Sequence, residues 1–94
     1  MNLEEARKEI NVVDNELVLL LEKRMRAVVA VAEYKKLNNI PILDEKREAI
    51  VLEKVSNLVE NQEFSESILE IFQNIMDATK KYQAKKIKNG SKTI

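Results

Sequence analysis

The stretch from Leu3 to Asn38 contains no glycine or proline, and its apolar residues recur every three to four positions. This pattern predicts one amphipathic helix of about 36 residues, roughly three times the average helix length. At 1.5 Å per residue the helix would span roughly 54 Å, more than the diameter of a compact domain of this size. We therefore predict that the helix overhangs its own protomer and that a second copy of the chain covers the overhang.

Two shorter helices are predicted after this long one. Pro41 disfavours helix at the residue before it, and the Asn-Asn pair preceding that residue suits a turn. The second helix is expected to begin near Asp44, a plausible N-cap, and to end around Asn61.

The third helix is expected to follow Ser67, which forms a Ser-x-x-Glu capping pattern with Glu70, and to run to Ile87. The sequence thus predicts an all-α fold, with a three-helix protomer whose long N-terminal helix is covered by a second copy of the chain. We expect a single domain over residues 1–94 with a frayed tail from about 88 to 94.

The composition excludes several classes of function. The chain has no cysteine or histidine, which excludes disulfides, thiol nucleophiles, Ser-His pairs and the usual zinc sites. We expect no metal and no cofactor. The 16 basic and 16 acidic residues balance, so no nucleic-acid partner is indicated. No apolar run approaches the roughly 20 residues of a membrane span, and the N-terminus is unlike a signal peptide, so we expect a cytoplasmic protein without a membrane partner.

Charged residues interrupt the apolar seam of the long helix. A heptad through this helix carries Arg7, Asp14, Arg24 and Lys35 where a plain coiled coil would have aliphatic residues. A single such cation often only packs its aliphatic stem, and a single acid can simply fix the register. Three cations cannot be neutralised by one Asp, and a buried charge without a partner costs several kcal/mol. The seam therefore favours an anionic ligand.

The spacing of these cations predicts how they meet. Arg24 and Lys35 are eleven residues apart, so they share a helix face about 16 Å apart along the axis and can converge on a small molecule. Arg7 lies about 25 Å from Arg24 on the same helix and cannot join them within one chain. In an antiparallel dimer that crosses near Leu17, Arg7 of a second copy would complete the site.

Two further groups of polar residues do not by themselves indicate a binding site. Asp44, Arg47 and Glu48 in the first turn of the second helix fit a solvated turn with local ion pairs. Thr79 and Gln83 continue the apolar stripe of the third helix, and a polar pair near a helix end usually marks where the stripe reaches solvent.

Together these residues resemble a known family. The segments RKEINVVDNELVLLLEKR, VVAVAEYKK, IPILDEKRE and IFQNIMDATKKYQ are similar to the all-helical class of chorismate mutases, from Leu3 to about Ile87. The match lies in the order and spacing of the whole set of polar residues, with Thr79 where the family usually has Ser: Arg7, Asp14, Arg24, Lys35, Asp44, Arg47, Glu48, Thr79 and Gln83.

The resemblance implies an enzyme of aromatic amino acid biosynthesis that converts chorismate to prephenate by a [3,3] pericyclic rearrangement, without a cofactor, in an intertwined homodimer. It implies that Arg24 and the other subunit's copy of Arg7 hold the two substrate carboxylates and that Arg47 orders that side of the pocket.

The resemblance also implies that Lys35 contacts a carboxylate and the ether oxygen, to which Gln83 also donates. Glu48 and the backbone at Asp44 would take the ring hydroxyl, and Thr79 would bind substrate through its hydroxyl. Asp14 is interpreted as a structural charge near the dimer seam.

Two other functions remain open from the sequence. A related fold removes pyruvate from isochorismate with a similar cationic pocket. The chain could also be a non-catalytic helical dimerisation or regulatory module whose seam charges set the register. Retention of Lys35 and Gln83 argues against the second, because register needs neither.

Overall fold

Residues 1–92 fold into three α-helices joined by short connections. The computed structural model describes the backbone of residues 1–92 and the side chains of residues 1–88. The helices are α1 (Leu3–Leu37), α2 (Glu45–Leu58) and α3 (Ser65–Lys92), and a 3-10 turn at Gln62–Phe64 precedes α3. The predicted all-α fold with one very long N-terminal helix is confirmed.

A tight turn ends α1 and reverses the chain. Asn39 has a positive φ of 52°, a backbone conformation that asparagine tolerates better than most residues. The Ile40 N–H donates to the Lys35 carbonyl at 2.9 Å and the Asn39 N–H to the Lys36 carbonyl at 3.4 Å, the two bonds of a Schellman motif. The predicted asparagine turn is confirmed, and it brings the start of α2 back beside the last turn of α1.

The start of α2 was predicted correctly. Asp44 is the N-cap, and its Oδ1 accepts a hydrogen bond from the Arg47 backbone N–H at 3.0 Å. The helix ends at Leu58, three residues before the predicted end at Asn61.

The predicted start of α3 at Ser67 is wrong. The Asn61 side chain accepts from the Glu63 N–H at 3.0 Å and begins the 3-10 turn, which leads directly into the helix at Ser65. The chain is therefore already helical where the Ser-x-x-Glu pattern begins. At the other end the backbone is helical to Lys92. Side chains after 88 and the last two residues lie outside the described part, so the predicted frayed tail stays a prediction.

Helix α3 packs against both α1 and α2 and holds the protomer together. The buried apolar side chains among residues 1–88 form a small core at these contacts: Val28, Ala32, Val55 and Met76. The radius of gyration is 16.6 Å, whereas a compact domain of this length has about 12 Å. The protomer is thus an elongated body, 56 × 27 × 15 Å in extent.

The N-terminal half of α1 is not covered by the rest of the protomer. Every side chain from residue 7 to residue 20 is exposed. The exposed set in this stretch includes seven large apolar residues: Ile10, Val12, Val13, Leu17, Val18, Leu19 and Leu20. The predicted overhang is therefore present.

Within residues 1–92, no helix is both long enough and apolar enough to cross a membrane.

Candidate active site

A cavity of about 280 Å³ lies where the C-terminal half of α1 meets the start of α2 and the second half of α3. Apolar side chains, including Val28, Val51 and Met76, form part of its wall. Seven of the sequence-predicted site residues line the same cavity: Arg24, Lys35, Asp44, Arg47, Glu48, Thr79 and Gln83. Residues far apart in the sequence are thus gathered around one space suited to a small molecule.

Arg24 is held in place by α3. Its Nη1 donates a hydrogen bond to Oγ1 of Thr79 at 3.1 Å, and Thr79 is only 9% exposed. A hydroxyl that accepts one hydrogen bond can still donate its own hydrogen. Thr79 therefore orients the guanidinium and keeps a donor for a ligand.

Lys35 is positioned by the turn that ends α1. Its Nζ donates to the Ile42 carbonyl at 2.7 Å, so the reversed chain fixes one of the three ammonium hydrogens. The remaining hydrogens are available to an acceptor in the cavity.

Gln83 has an amide that is buried without a full set of partners. It is 5% exposed, and its Oε1 is buried and accepts no hydrogen bond. An unpaired buried acceptor costs about 1–3 kcal/mol, so this position is unfavourable for a glutamine that has only a structural role. Thr79 and Gln83 are both buried because this face of α3 lies between the other two helices. The interpretation that this pair marks a stripe reaching solvent is wrong.

The cavity carries positive charge that the protein does not neutralise. Arg24, Lys35 and Arg47 form no ion pair with a carboxylate among residues 1–88. Within the same part of the chain, no three acidic side chains lie together in a way that could hold a metal ion. The arrangement favours an anionic small molecule over a cation.

Glu48 makes its contacts with α3 and not within its own turn. The Nζ of Lys80 lies 2.9 Å from Glu48 Oε2, and Nε2 of Gln73 donates to Glu48 Oε1 at 3.5 Å. The same two donors also contact Asp77 Oδ1, Lys80 at 3.3 Å and Gln73 at 3.1 Å. For Glu48, the interpretation as a solvated turn with local ion pairs is wrong.

These contacts shift the titration of two groups on α3. The hydrogen bond to Glu48, followed by the one to Asp77, raises the pKa of Lys80 above 10.5 against the opposing effect of desolvation. Hydrogen bonds from Gln73 and then Lys80 lower the pKa of Asp77 below 3.8. Both groups are therefore charged throughout the neutral range.

Comparison with known proteins identifies the family. The family model for chorismate mutase type II matches residues 6–84, most of the chain. The chain belongs to the chorismate mutase type II family. Chorismate mutases are isomerases.

Two curated proteins are similar to this chain. A bifunctional chorismate mutase/prephenate dehydratase from Buchnera aphidicola subsp. Schizaphis graminum is 43% identical over 72 residues, 76% of this chain and 19% of that protein. A chorismate mutase from Methanocaldococcus jannaschii is 33% identical over 82 residues, 86% of this chain and 83% of that protein. The chain thus spans about a fifth of the first relative and most of the second. No solved structure matches it significantly.

Arg7 and Asp14 lie outside the cavity of the protomer. Both are exposed on the uncovered half of α1, and Arg7 is about 25 Å from Arg24 along the helix. A role for Arg7 therefore requires a second subunit and stays a prediction.

Sequence reasoning missed Lys80, which lines the cavity, and its partners Gln73 and Asp77. One signal was available, because Gln73, Asp77 and Lys80 are spaced by four and three residues and share a helix face. That spacing alone does not reveal the contact with Glu48, which exists only once α2 packs on α3.

Proposed function

We propose that this domain converts chorismate to prephenate by a [3,3] rearrangement, a step of aromatic amino acid biosynthesis, and does so in the cytoplasm. The observation that carries the proposal is that seven predicted residues from three helices line one cavity. Its volume of about 280 Å³ lies just below the common range for small-molecule pockets, about 300–1,000 Å³. The ligand is therefore a small molecule and not a macromolecule.

The charges of the cavity support a substrate with two carboxylates. Arg24 and Arg47 offer guanidinium groups, which bind carboxylates through paired hydrogen bonds. Because neither has a carboxylate partner within residues 1–88, binding a dianion neutralises them without breaking an ion pair of the protein. These side chains orient the substrate in its folded, reactive conformer.

The remaining donors suit the charge that the reaction develops. As the carbon–oxygen bond of the ether breaks, negative charge grows on the ether oxygen. Donors fixed in advance near that atom stabilise the transition state more than the substrate. We assign this role to Lys35 and Gln83, whose side chains are held at the cavity wall by the Ile42 carbonyl and by burial, respectively.

The rearrangement transfers no proton and needs no nucleophile. This agrees with a sequence that lacks histidine and cysteine. Glu48 and the backbone at Asp44 are assigned to the ring hydroxyl, and Thr79 donates its hydroxyl hydrogen to the substrate. Each of these contacts binds or orients and does not itself take part in bond making.

The site is proposed to be completed in an intertwined homodimer by Arg7 of the partner subunit. The accessible surface of the protomer is 7899 Å², whereas a compact monomer of this mass exposes about 5,600 Å². The excess of roughly 2,300 Å² is of the size that stable dimers bury. An apolar groove continues the uncovered face of α1 and offers a surface for the second copy; it is lined chiefly by Val18, Leu21, Met25, Val29 and Tyr82.

Direct assay of the purified chain tests the proposal. We expect chorismate to be consumed with formation of prephenate, and we expect isochorismate to release no pyruvate in a parallel reaction. Lys35→Ala protein, prepared in the same way, controls for contaminating activity. Pyruvate release from isochorismate without prephenate formation, or no reaction with either substrate, would overturn the proposal.

A further inference from the structure

A lysine in the cavity wall is not explained by the roles assigned so far. Lys80 lines the cavity between Thr79 and Gln83 on α3, yet its ammonium is directed to Glu48 Oε2 at 2.9 Å and to Asp77 Oδ1 at 3.3 Å. It differs from Arg24, Lys35 and Arg47 because its charge is already paired. Lys80 therefore does not serve the substrate carboxylates as a free cation.

Glu48 is the cavity residue that most needs such a partner. Its side chain has three rotatable bonds and is only 19% exposed, so an unrestrained carboxylate would lose both order and solvation there. Lys80 holds one carboxylate oxygen and Gln73 contacts the other at 3.5 Å. The two donors define the direction in which Glu48 presents its remaining lone pairs.

Asp77 fixes the two donors in turn. It accepts from Gln73 Nε2 at 3.1 Å and lies 3.3 Å from the Lys80 ammonium. Gln73, Asp77 and Lys80 lie on one face of α3, so the rigid helix sets their spacing. The result is a cross-helix brace in which three side chains of α3 hold one carboxylate of α2.

The brace also resolves a conflict of charge. A bare carboxylate in a cavity that accepts a dianion would repel it, because like charges at short range interact strongly in a partly buried site. The Lys80 ammonium compensates the charge of Glu48 without removing its ability to accept a hydrogen bond from a hydroxyl.

We propose that Lys80 is a positioning residue that, with Gln73 and Asp77, orients Glu48 toward the substrate hydroxyl and cancels its repulsion of the substrate. This inference rests on the proposed function, since it assigns Lys80 to the recognition of the same substrate. Lys80 acts through Glu48 and need not touch the reacting atoms.

The test is a double-mutant cycle measured by steady-state kinetics with chorismate. Lys80→Met keeps the aliphatic stem and removes the charge, and we expect it to raise KM about tenfold with less than about a threefold change in kcat. Lys80→Arg should restore most of the affinity.

In a Glu48→Gln background, Lys80→Met should change KM several-fold less than in the wild type, because the carboxylate that Lys80 positions is gone. Lys85→Met, an exposed lysine on the same helix, is the matched control and should behave as wild type.

Circular dichroism and sedimentation of each variant separate a loss of folding from a loss of positioning. Equal effects of Lys80→Met with and without Glu48, or no effect in a folded protein, would overturn the inference while leaving the proposed function in place. A wild-type chain that does not convert chorismate would overturn both.

Discussion

At the scale of single residues, Lys35 combines a structural contact with the chemistry assigned to it. Its Nζ donates to the Ile42 carbonyl, so the side chain is held at the cavity wall before any ligand binds. Donors fixed in this way need no reorganisation when charge develops on the substrate. The Schellman turn after α1 is therefore part of the site, because it places the Ile42 carbonyl within reach.

Removing this ammonium should impair turnover far more than folding. We expect Lys35→Ala to lower kcat by at least about 10²-fold, the scale seen when one preorganised donor is deleted. Steady-state assays with chorismate measure kcat. Lys36→Ala removes the neighbouring exposed lysine and should leave kcat unchanged. Near-normal turnover of folded Lys35→Ala protein would remove Lys35 from the catalytic role.

Gln83 offers a second test at the same scale. Gln83→Glu places a carboxyl group where the wild-type side chain is 5% exposed, and burial raises the pKa of such a group. The protonated acid can still donate to the ether oxygen, whereas the carboxylate opposes the developing charge. We expect the variant to be active at acid pH and to lose activity as the pH rises through that pKa, while the wild type changes little. A flat pH–rate profile for the variant would show that Gln83 does not donate to the ether oxygen.

At the scale of helices, Asp77 contacts Gln73 and Lys80, the two side chains of α3 that reach Glu48 on α2. Its pKa is lowered chiefly by the hydrogen bond from Gln73 and then by Lys80, with a smaller effect of the charge of Lys81. A group with a lowered pKa stabilises the fold above its ordinary value of 3.8, and this stabilisation is lost as the pH falls through the lowered pKa. Glu48 faces the same ammonium from α2.

We therefore expect Asp77→Asn to be less stable than the wild type at pH 7 and the difference to shrink toward pH 3. Urea denaturation of both proteins at the two pH values measures it. Glu70→Gln, an exposed acid of α3 beyond its first turn, controls for the general loss of negative charge. A difference that is independent of pH would show that the Asp77 charge does not support the helix contact.

The sequence allowed the helices to be predicted where local signals are strong. The Asn-Asn turn and the Asp44 N-cap act through neighbouring backbone groups, so both were recognisable without knowledge of the fold. The start of α3 was missed because Asn61 begins a 3-10 turn ahead of Ser67, and two competing caps within a few residues cannot be ranked from propensity alone.

In the site too, features that belong to one helix could be predicted from the sequence, whereas contacts between helices could not. Its cations could be predicted because they interrupt a regular apolar seam on a single helix. The burial of Thr79 and Gln83 and the contact of Lys80 with Glu48 depend on how separate helices pack. No periodicity within one helix contains that information.

At the scale of the whole molecule, the distance of Arg7 from the cavity of its own protomer predicts that two inactive variants can restore activity to each other. Arg7→Ala and Lys35→Ala proteins should each be inactive, but a mixture allowed to exchange subunits should regain activity. In a heterodimer one site lacks both side chains and the other lacks neither, so random pairing at equal amounts gives about a quarter of the wild-type activity.

The controls are activity assays of each variant alone and of the mixture before and after subunit exchange. Recovery only after exchange supports a site shared between subunits. Persistent inactivity of a mixture in which heterodimers are detected by mass would overturn the shared site.

The core of the protomer is small, and this bears on whether a single copy can fold alone. Among the side chains of residues 1–88, four apolar ones are buried, Val28, Ala32, Val55 and Met76, and these are too few to offset the chain entropy of a domain this long. If pairing of two copies supplies the missing burial, folding and association become one reaction, and the melting temperature should fall on dilution. A tenfold drop in protein concentration then weakens the folded dimer by about 1.4 kcal/mol. A newly synthesised chain would then be cleavable by proteases until it pairs with a second copy. Because pairing depends on concentration, the rate of synthesis would determine how much folded dimer accumulates.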